Sequence, residues 1–437
     1  MNAPQTRRNG HAQQGVATLF VVLMLLLAAG LVMLYTSRGA VMEQRLSANE
    51  IRAKRAIAAA NAGLDRALAL VNDPTNGVGL VKFFSSATPP VFVAPTSDLA
   101  PTSPFDGAGE PTYLVKYCNV TTNADTLTCG TTRGTSTNCA APDSSNLIDA
   151  VMFSCGWSDD DSAVHKMTQK LRIHPGLAGT VSTPLITKGV ANLLVGGASV
   201  LNYFNDLTVW SGGSMLGQSM TGKTFTRDVA NYPTADSALD SDNDGTKDYR
   251  DTGNSPACNN PPTGYTCSTQ GSTLGHDTVS GDTRLSSLSA DGFFQYFFGD
   301  NIADYRASEA SWVVDLTGTL SNANSTNINT VGTHDGNIIW VEGDATSLPN
   351  TIGTPDKPVT LIINGDLALG SNTVINGIVY VHGDVTGNGS PTVYGSLIVQ
   401  GSANTTGNPK VIYDPNVIQR AESQGVGGKL QGSWKDW

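Results

Sequence analysis

Residues 16–71 decide the fold: VATLFVVLMLLLAAGLVMLY (16–35) runs into TSRGAVMEQRLSANEIRAKRAIAAANAGLDRALALV (36–71). The first stretch is twenty residues without a charge. At 1.5 Å per residue it spans the roughly 30 Å hydrocarbon layer of a bilayer. The second has no proline and is dense in alanine, and Leu46, Ala53, Ile57, Ala60, Leu64, Ala67, Leu68 and Val71 recur at spacings of three, four and seven. Glu43, Glu50, Arg52, Asp65 and Arg66 fall largely on other faces. The pattern predicts one helix over 16–72, apolar first and amphipathic afterwards, stopping before Asp73-Pro74. A cleaved secretory signal has a shorter apolar core followed by a small-residue cleavage site, whereas helical character continues here. Such a helix lies half in a membrane and half against an exported domain.

Charge is distributed accordingly. Residues 1–66 carry a net +5 and the remainder −16, within a total of −11 over 437 residues. Arg7 and Arg8 precede the apolar run and keep the N-terminus cytoplasmic. The acidic body argues against nucleic-acid binding. All six cysteines follow the apolar segment and none forms a C-x-x-C pair, so disulfides in an oxidising compartment are expected rather than zinc. Cys258 and Cys267 are close and isolated, which makes them the expected pair. Cys118, Cys129, Cys139 and Cys155 allow three pairings that the sequence leaves open.

A basic leader (1–15) ending in Gln14-Gly15, the apolar run from Val16, then Arg45-Leu46-Ser47-Ala48-Asn49-Glu50 and Ala58-Ala59-Ala60-Asn61-Ala62-Gly63-Leu64 resemble the N-terminus of PilX-type minor pilins of type IV pili. The resemblance implies cleavage by prepilin peptidase between Gly15 and Val16. It also implies a single pass through the bacterial inner membrane and later residence in a pilus at the cell surface. The implied partners are other minor and major pilins and a PilY-type tip adhesin. Major pilins carry a glutamate at the fifth mature position, where this chain has Phe20. That carboxylate neutralises a neighbour's terminal amine, since a lone charge in an apolar core is costly. A subunit without it suits the tip or an initiating complex better than the repeating shaft. Minor pseudopilins of type II secretion share the departure and stand as an alternative, as does an unrelated protein with an uncleaved signal anchor.

The expected fold class is α+β. Strands at 113–118, 150–155 and 164–173 predict a small antiparallel sheet on the amphipathic half-helix, within a pilin-like region 73–180. Beyond it, Gly365, Gly377, Gly383, Gly389, Gly395, Gly401 and Gly407 share one six-residue register, with Ser371 at the missing step and mostly apolar residues two and four places later. Hexads predict a parallel β-helix whose coils of about 18 residues stack Leu367 on Val385 and Val379 on Leu397. The same flavour at 185–213 predicts one mainly-β domain, 181–213 and 335–413, split by an insertion at 214–334. A β-sandwich is the alternative. The tail, 414–437, reads as flexible after Gln419, with Trp434 and Trp437 available to a partner.

Asp240, Asp242 and Asp244 stand at positions one, three and five of an EF-hand-type loop, before Gly245 at six. Thr246, Asp248 and Asp251 follow at seven, nine and twelve. Five carboxylates so close repel unless a hard cation sits among them, so a structural Ca2+ is expected. Asp159-Asp160-Asp161 lacks that spacing and reads as a solvated turn. Asp366 and Asp384 would stack at one coil corner, where paired carboxylates permit glycosidase chemistry. Asp after Gly in a corner is also ordinary turn chemistry. No nucleophile, P-loop or dinucleotide motif occurs. A non-catalytic pilin is the leading reading, ahead of an adhesin module and a membrane-anchored polysaccharide-active enzyme. The aromatic knot Phe293, Phe294, Tyr296, Phe297 and Phe298 reads as core packing.

Overall fold

Helix α1 (Gln14–Asn72) is continuous from the apolar run to the end of the amphipathic repeat. The computed structural model describes residues 14–75, 77–85, 91–93, 110–143, 148–173, 176–179, 181–192, 197–202, 207–215, 222–227, 258–259, 261, 265–270, 273–370, 372–425, 427–430 and 432–436. The C-terminal half of α1 packs on an antiparallel sheet of β1 (Thr112–Cys118), β2 (Asp149–Trp157) and β3 (Val164–Ile173). Strand β2 is central and buried on both faces. Ala150 and Met152 point at α1, while Val151, Phe153, Cys155 and Trp157 point the other way. That second face is covered by the 119–139 segment, which disulfides Cys118–Cys139 and Cys129–Cys155 fasten down. Small residues allow the helix to sit close. Ala56, Ala59, Ala60 and Ala67 are fully buried, and a Cβ on Gly156 would fall 2.1 Å from the Ala56 carbonyl oxygen.

Most of the rest of the chain is a three-sided coil whose strands pair in parallel, apart from β8 (Tyr265–Gln270), which runs antiparallel to its neighbour. After β4 (Leu185–Thr187), β5 (Ser199–Asn202), β6 (Val209–Ser211), β7 (Lys223–Arg227), β8 (Tyr265–Gln270) and β9 (Thr278–Ser280) come three short helices: α2 (Thr283–Ser286), α3 (Ala290–Phe298) and α4 (Ile302–Ser308). Strands resume with β10 (Trp312–Asp315), β11 (Ile338–Glu342), β12 (Thr351–Ile352), β13 (Val359–Asn364), β14 (Leu367–Leu369) and β15 (Val374–Val381). They continue through β16 (Val385–Gly387), β17 (Thr392–Val399), β18 (Ala403–Thr405) and β19 (Lys410–Ile412). Leu367 pairs with Val385 and Val379 with Leu397, each eighteen residues on. Inward-facing Leu, Ile and Val fill the interior, among them Leu361, Ile363, Val379, Val381, Leu397 and Val399. Two glycines lie within strands rather than at corners. Gly377 and Gly395 bend β15 and β17 at φ 149° and 132°, and a Cβ there would meet the preceding coil's backbone within 2.0 Å.

Chain order and stacking order differ. β10, β11, β13, β15 and β17 stack in succession. The two halves of β17 then continue on β19 and on β4, so the strands at 185–211 lie beyond the last coil rather than before the first. The segment expected as an insertion, 214–334, builds both ends of this stack. β7, β8 and β9 extend one end and β10 forms the other. A chain leaving β9 must therefore travel the length of the stack to reach β10, and α2–α4 lie on that path. The aromatic knot seals them to the coil: Phe293, Phe294, Phe297 and Phe298 are buried with Trp340, Tyr380, Ile362 and Ile398.

The tail is ordered among its described residues, contrary to expectation. Asp414 caps α5 (Pro415–Glu422), and β20 (Gly427–Lys429) and β21 (Lys435–Asp436) pair antiparallel with β3. The coil is thereby inserted between β3 and the last strands of the α1-backed sheet. The backbone groups of the β3 edge supply the reason, since a returning strand satisfies donors and acceptors that would otherwise stay unpaired.

Candidate assembly surface

The α1 apolar run makes no contact that buries it. Leu19, Phe20, Val21, Leu25, Leu26 and Leu31 are each more than half exposed, and Tyr35 is 82% exposed. The helix contains a segment long and apolar enough to cross a membrane. Burying a side chain such as Leu, Phe or Val is worth roughly 1.5–3 kcal/mol, so the dozen or more here demand a lipid or protein environment. Gly15 and Val16 stand in the first turn of α1, and residues 1–13 lie outside the described residues.

The other half of α1 is held in one orientation by charge as well as packing. Arg52 pairs with Asp160 at 2.9 Å and Arg55 with Asp159 at 2.5 Å, on the turn between β2 and β3. Asp161, in the left-handed region at φ 59°, pairs with Arg133 of the disulfide-fastened segment. The Asp159–Asp161 run is therefore a clamp and not only a solvated turn. The Ser162 hydroxyl, helped by its backbone N–H, the Ser158 hydroxyl and Arg52, holds the Asp160 carboxyl down at about 2. Sequence reasoning passed over this clamp, although a triple Asp between two strands and two arginines three apart on a helix were the available signal.

At its C-terminal end α1 meets the coil and the returning tail. The Val78 N–H donates to the Gly336 carbonyl, and the Asn337 side-chain amide donates to the Pro74 carbonyl. Asn72 exchanges two hydrogen bonds with the Gly427 backbone, and Lys429 pairs with Asp65 at 2.6 Å. Buried Gln424 ties the two units together. Its backbone carbonyl accepts from Gly176 N–H, while its side chain bonds Thr360 and the Pro358 carbonyl. The coil therefore sits beyond the end of α1 opposite to the exposed apolar run.

The remaining candidates resolve separately. Asp240, Asp242, Asp244, Thr246, Asp248 and Asp251 lie outside the described residues, on the connection between β7 and β8. Among the described residues no three His, Cys, Asp or Glu are placed to hold a metal. Cys258 is bonded to Cys267, and the pairing of the other four is Cys118–Cys139 and Cys129–Cys155. Asp344, Asp366 and Asp384 form a ladder along one coil edge. Each carboxylate accepts the backbone N–H one coil on, from Asp366, Asp384 and Ser402, at 2.9, 2.8 and 2.7 Å. This is the turn role of an Asp that follows Gly.

Residues 14–65 match the PilX N-terminal family model. No curated protein matches the chain. Among solved structures, the crystal structure of the competence-associated pilin ComZ from Thermus thermophilus is similar at 13% identity. That match covers 88% of this chain and 97% of the other at a TM-score of 0.23, too slight a likeness to carry an argument. The family match covers the N-terminal helix and not the sheet or the coil.

Proposed function

We propose that this chain, which begins its described structure with a PilX N-terminal segment, is a minor pilin that primes a type IV pilus or sits at its tip. One observation supports the reading above others: a single helix is docked over one half and bare and apolar over the other. Such a half-helix is stable in a bilayer, and after extraction only among like helices. Filaments grow from the membrane, so the membrane-proximal half of each α1 leads into the subunits added later. The coil lies at the opposite end, where it would obstruct a subunit placed ahead of this one. Phe20 at the position of the shaft glutamate points the same way. Prepilin peptidase would release Val16 as the new N-terminus, and other pilins and a PilY-type adhesin would be the partners. We propose further that residues 240–251 bind Ca2+ structurally.

Mass spectrometry of the protein from cells with and without prepilin peptidase tests the class. The expected mature chain starts at a methylated Val16 only when the peptidase is present, and an unprocessed chain in both strains would refute the pilin reading. Gold labelling of the coil on sheared filaments tests the position. One label at one end is expected, and regular labelling along the shaft would remove the tip role.

A further inference from the structure

Three Asn-Gly pairs lie in the coil: Asn364-Gly365, Asn376-Gly377 and Asn388-Gly389. An asparagine before a glycine carries a reaction of its own. The glycine backbone nitrogen can attack the asparagine side-chain carbonyl carbon, because no Cβ shields that nitrogen. Closure needs a side chain free to turn back on its own backbone. It also needs a backbone N–H that no acceptor holds.

The fold holds two of the three side chains. Asn364 is half-buried, and its amide donates to Glu342 Oε1 at 2.8 Å. Asn376 is 4% exposed within β15, and its amide donates to the Gly353 carbonyl at 3.1 Å. Gly377 is fixed between Val359 and Gly395 of the neighbouring strands. Asn388 differs. It is exposed, one residue beyond β16, in the connection 388–391 that leads to β17. Among the described residues its side chain has no hydrogen-bond partner, and neither has the Gly389 N–H. Gly389 stands in the left-handed region at φ 84°. The next coil leaves the flank of its nitrogen clear, since a Cβ on Gly407 would fall 2.5 Å from that atom.

From these differences we propose that Asn388 is a site of spontaneous deamidation, while Asn364 and Asn376 persist as amides. The Gly389 nitrogen bonds to the Asn388 side-chain carbon. The amide nitrogen leaves as ammonia, taking the proton that the backbone nitrogen gives up. Water then opens the cyclic imide at either carbonyl and yields aspartate or isoaspartate. No enzyme, cofactor or oxidant enters the balance. Both products add a negative charge at the turn. Isoaspartate also lengthens the main chain by one carbon, where the Gly389 carbonyl accepts from the Asn408 N–H at 2.6 Å. That contact between successive coils is lost in the altered copies. The inference concerns the coil alone and stands whether or not the chain joins a filament.

The full chain, held in detergent at mildly alkaline pH, would be sampled over weeks by peptide-mapping mass spectrometry. The peptide holding residue 388 should gain about one mass unit and separate into aspartate and isoaspartate forms. Conversion there should run at least about tenfold faster than at residues 364 and 376, which react only after local opening. In denaturant the three sites should become comparable. Asn388→Gln demands a larger ring and should abolish the product at an unchanged melting temperature, since the side chain is exposed. An amide that persists at 388 in the folded chain while the denatured chain reacts would overturn the inference. Equal rates at all three sites in the folded chain would do the same.

Discussion

The α1-backed sheet and the coil reach burial by opposite means. In the sheet, one central strand is covered on each face by a different partner: a helix of small residues, and a loop held by two disulfides. Each partner is single, so losing one exposes a whole face. In the coil, each inner strand is covered above and below by a strand like itself, and the interior repeats the same Leu, Ile and Val rows. Damage there is shared between neighbouring turns, as in other solenoids. The difference teaches where this protein is brittle. It is brittle where the helix meets the sheet.

Four variants break or sharpen this comparison. The largest effect is expected from Gly156→Val, because a side chain there must displace the α1 backbone at Ala56 and Ala60. A loss of about 4 kcal/mol is expected. Hydrogen exchange should report lost protection in β1–β3 while the coil stays protected, and a coil that opens in concert would break the comparison. Next comes Leu397→Ala, a fully buried coil residue between Val379 and Leu185. About 3 kcal/mol is expected, with opening limited to adjacent turns. Replacing Cys129 and Cys155 by alanine should cost about 2–3 kcal/mol, read as reduced stability of the sheet alone in denaturant.

The smallest effect concerns Glu422, which accepts the Val181 N–H where the coil begins. Burial pushes its carboxyl up from 4.5 to about 7. The folded state therefore holds the proton to higher pH than the unfolded chain does. Stability from this group is full below about pH 4.5, declines as the pH rises to about 7 and is level above. Glu422→Gln keeps the acceptor and removes the charge. It should flatten that slope and stabilise by about 1 kcal/mol at pH 8, after allowance for solvent screening. An unaltered pH–melting curve would show that the carboxyl is better solvated than its surroundings indicate.

Legibility followed the range of the interactions. α1 was readable because its signal is local: an uncharged run and a 3.6-residue repeat. The glycine hexads were readable because each coil repeats its own spacing, so Leu367 and Val385 could be paired from number alone. The fate of 214–334 was not readable. Short strands such as β9 and β10 carry no repeat, and their place depends on which end of the stack has a free edge. The tail was misjudged for the same reason, since Gly427–Lys429 has little strand propensity of its own and is ordered by the β3 edge. The Asp159–Asp161 clamp needed the helix and the turn brought together before either half had a meaning.

By itself, then, the sequence determined the long two-part helix, the acidic body and the eighteen-residue period. Each rests on periodicity or charge carried by neighbouring residues. Only the tertiary structure decided that strands from 185–211 follow the last coil and that the final strands return to the first sheet. Those outcomes depend on hydrogen-bonding edges and apolar faces finding partners hundreds of residues away, and no local pattern encodes which edge is left to find.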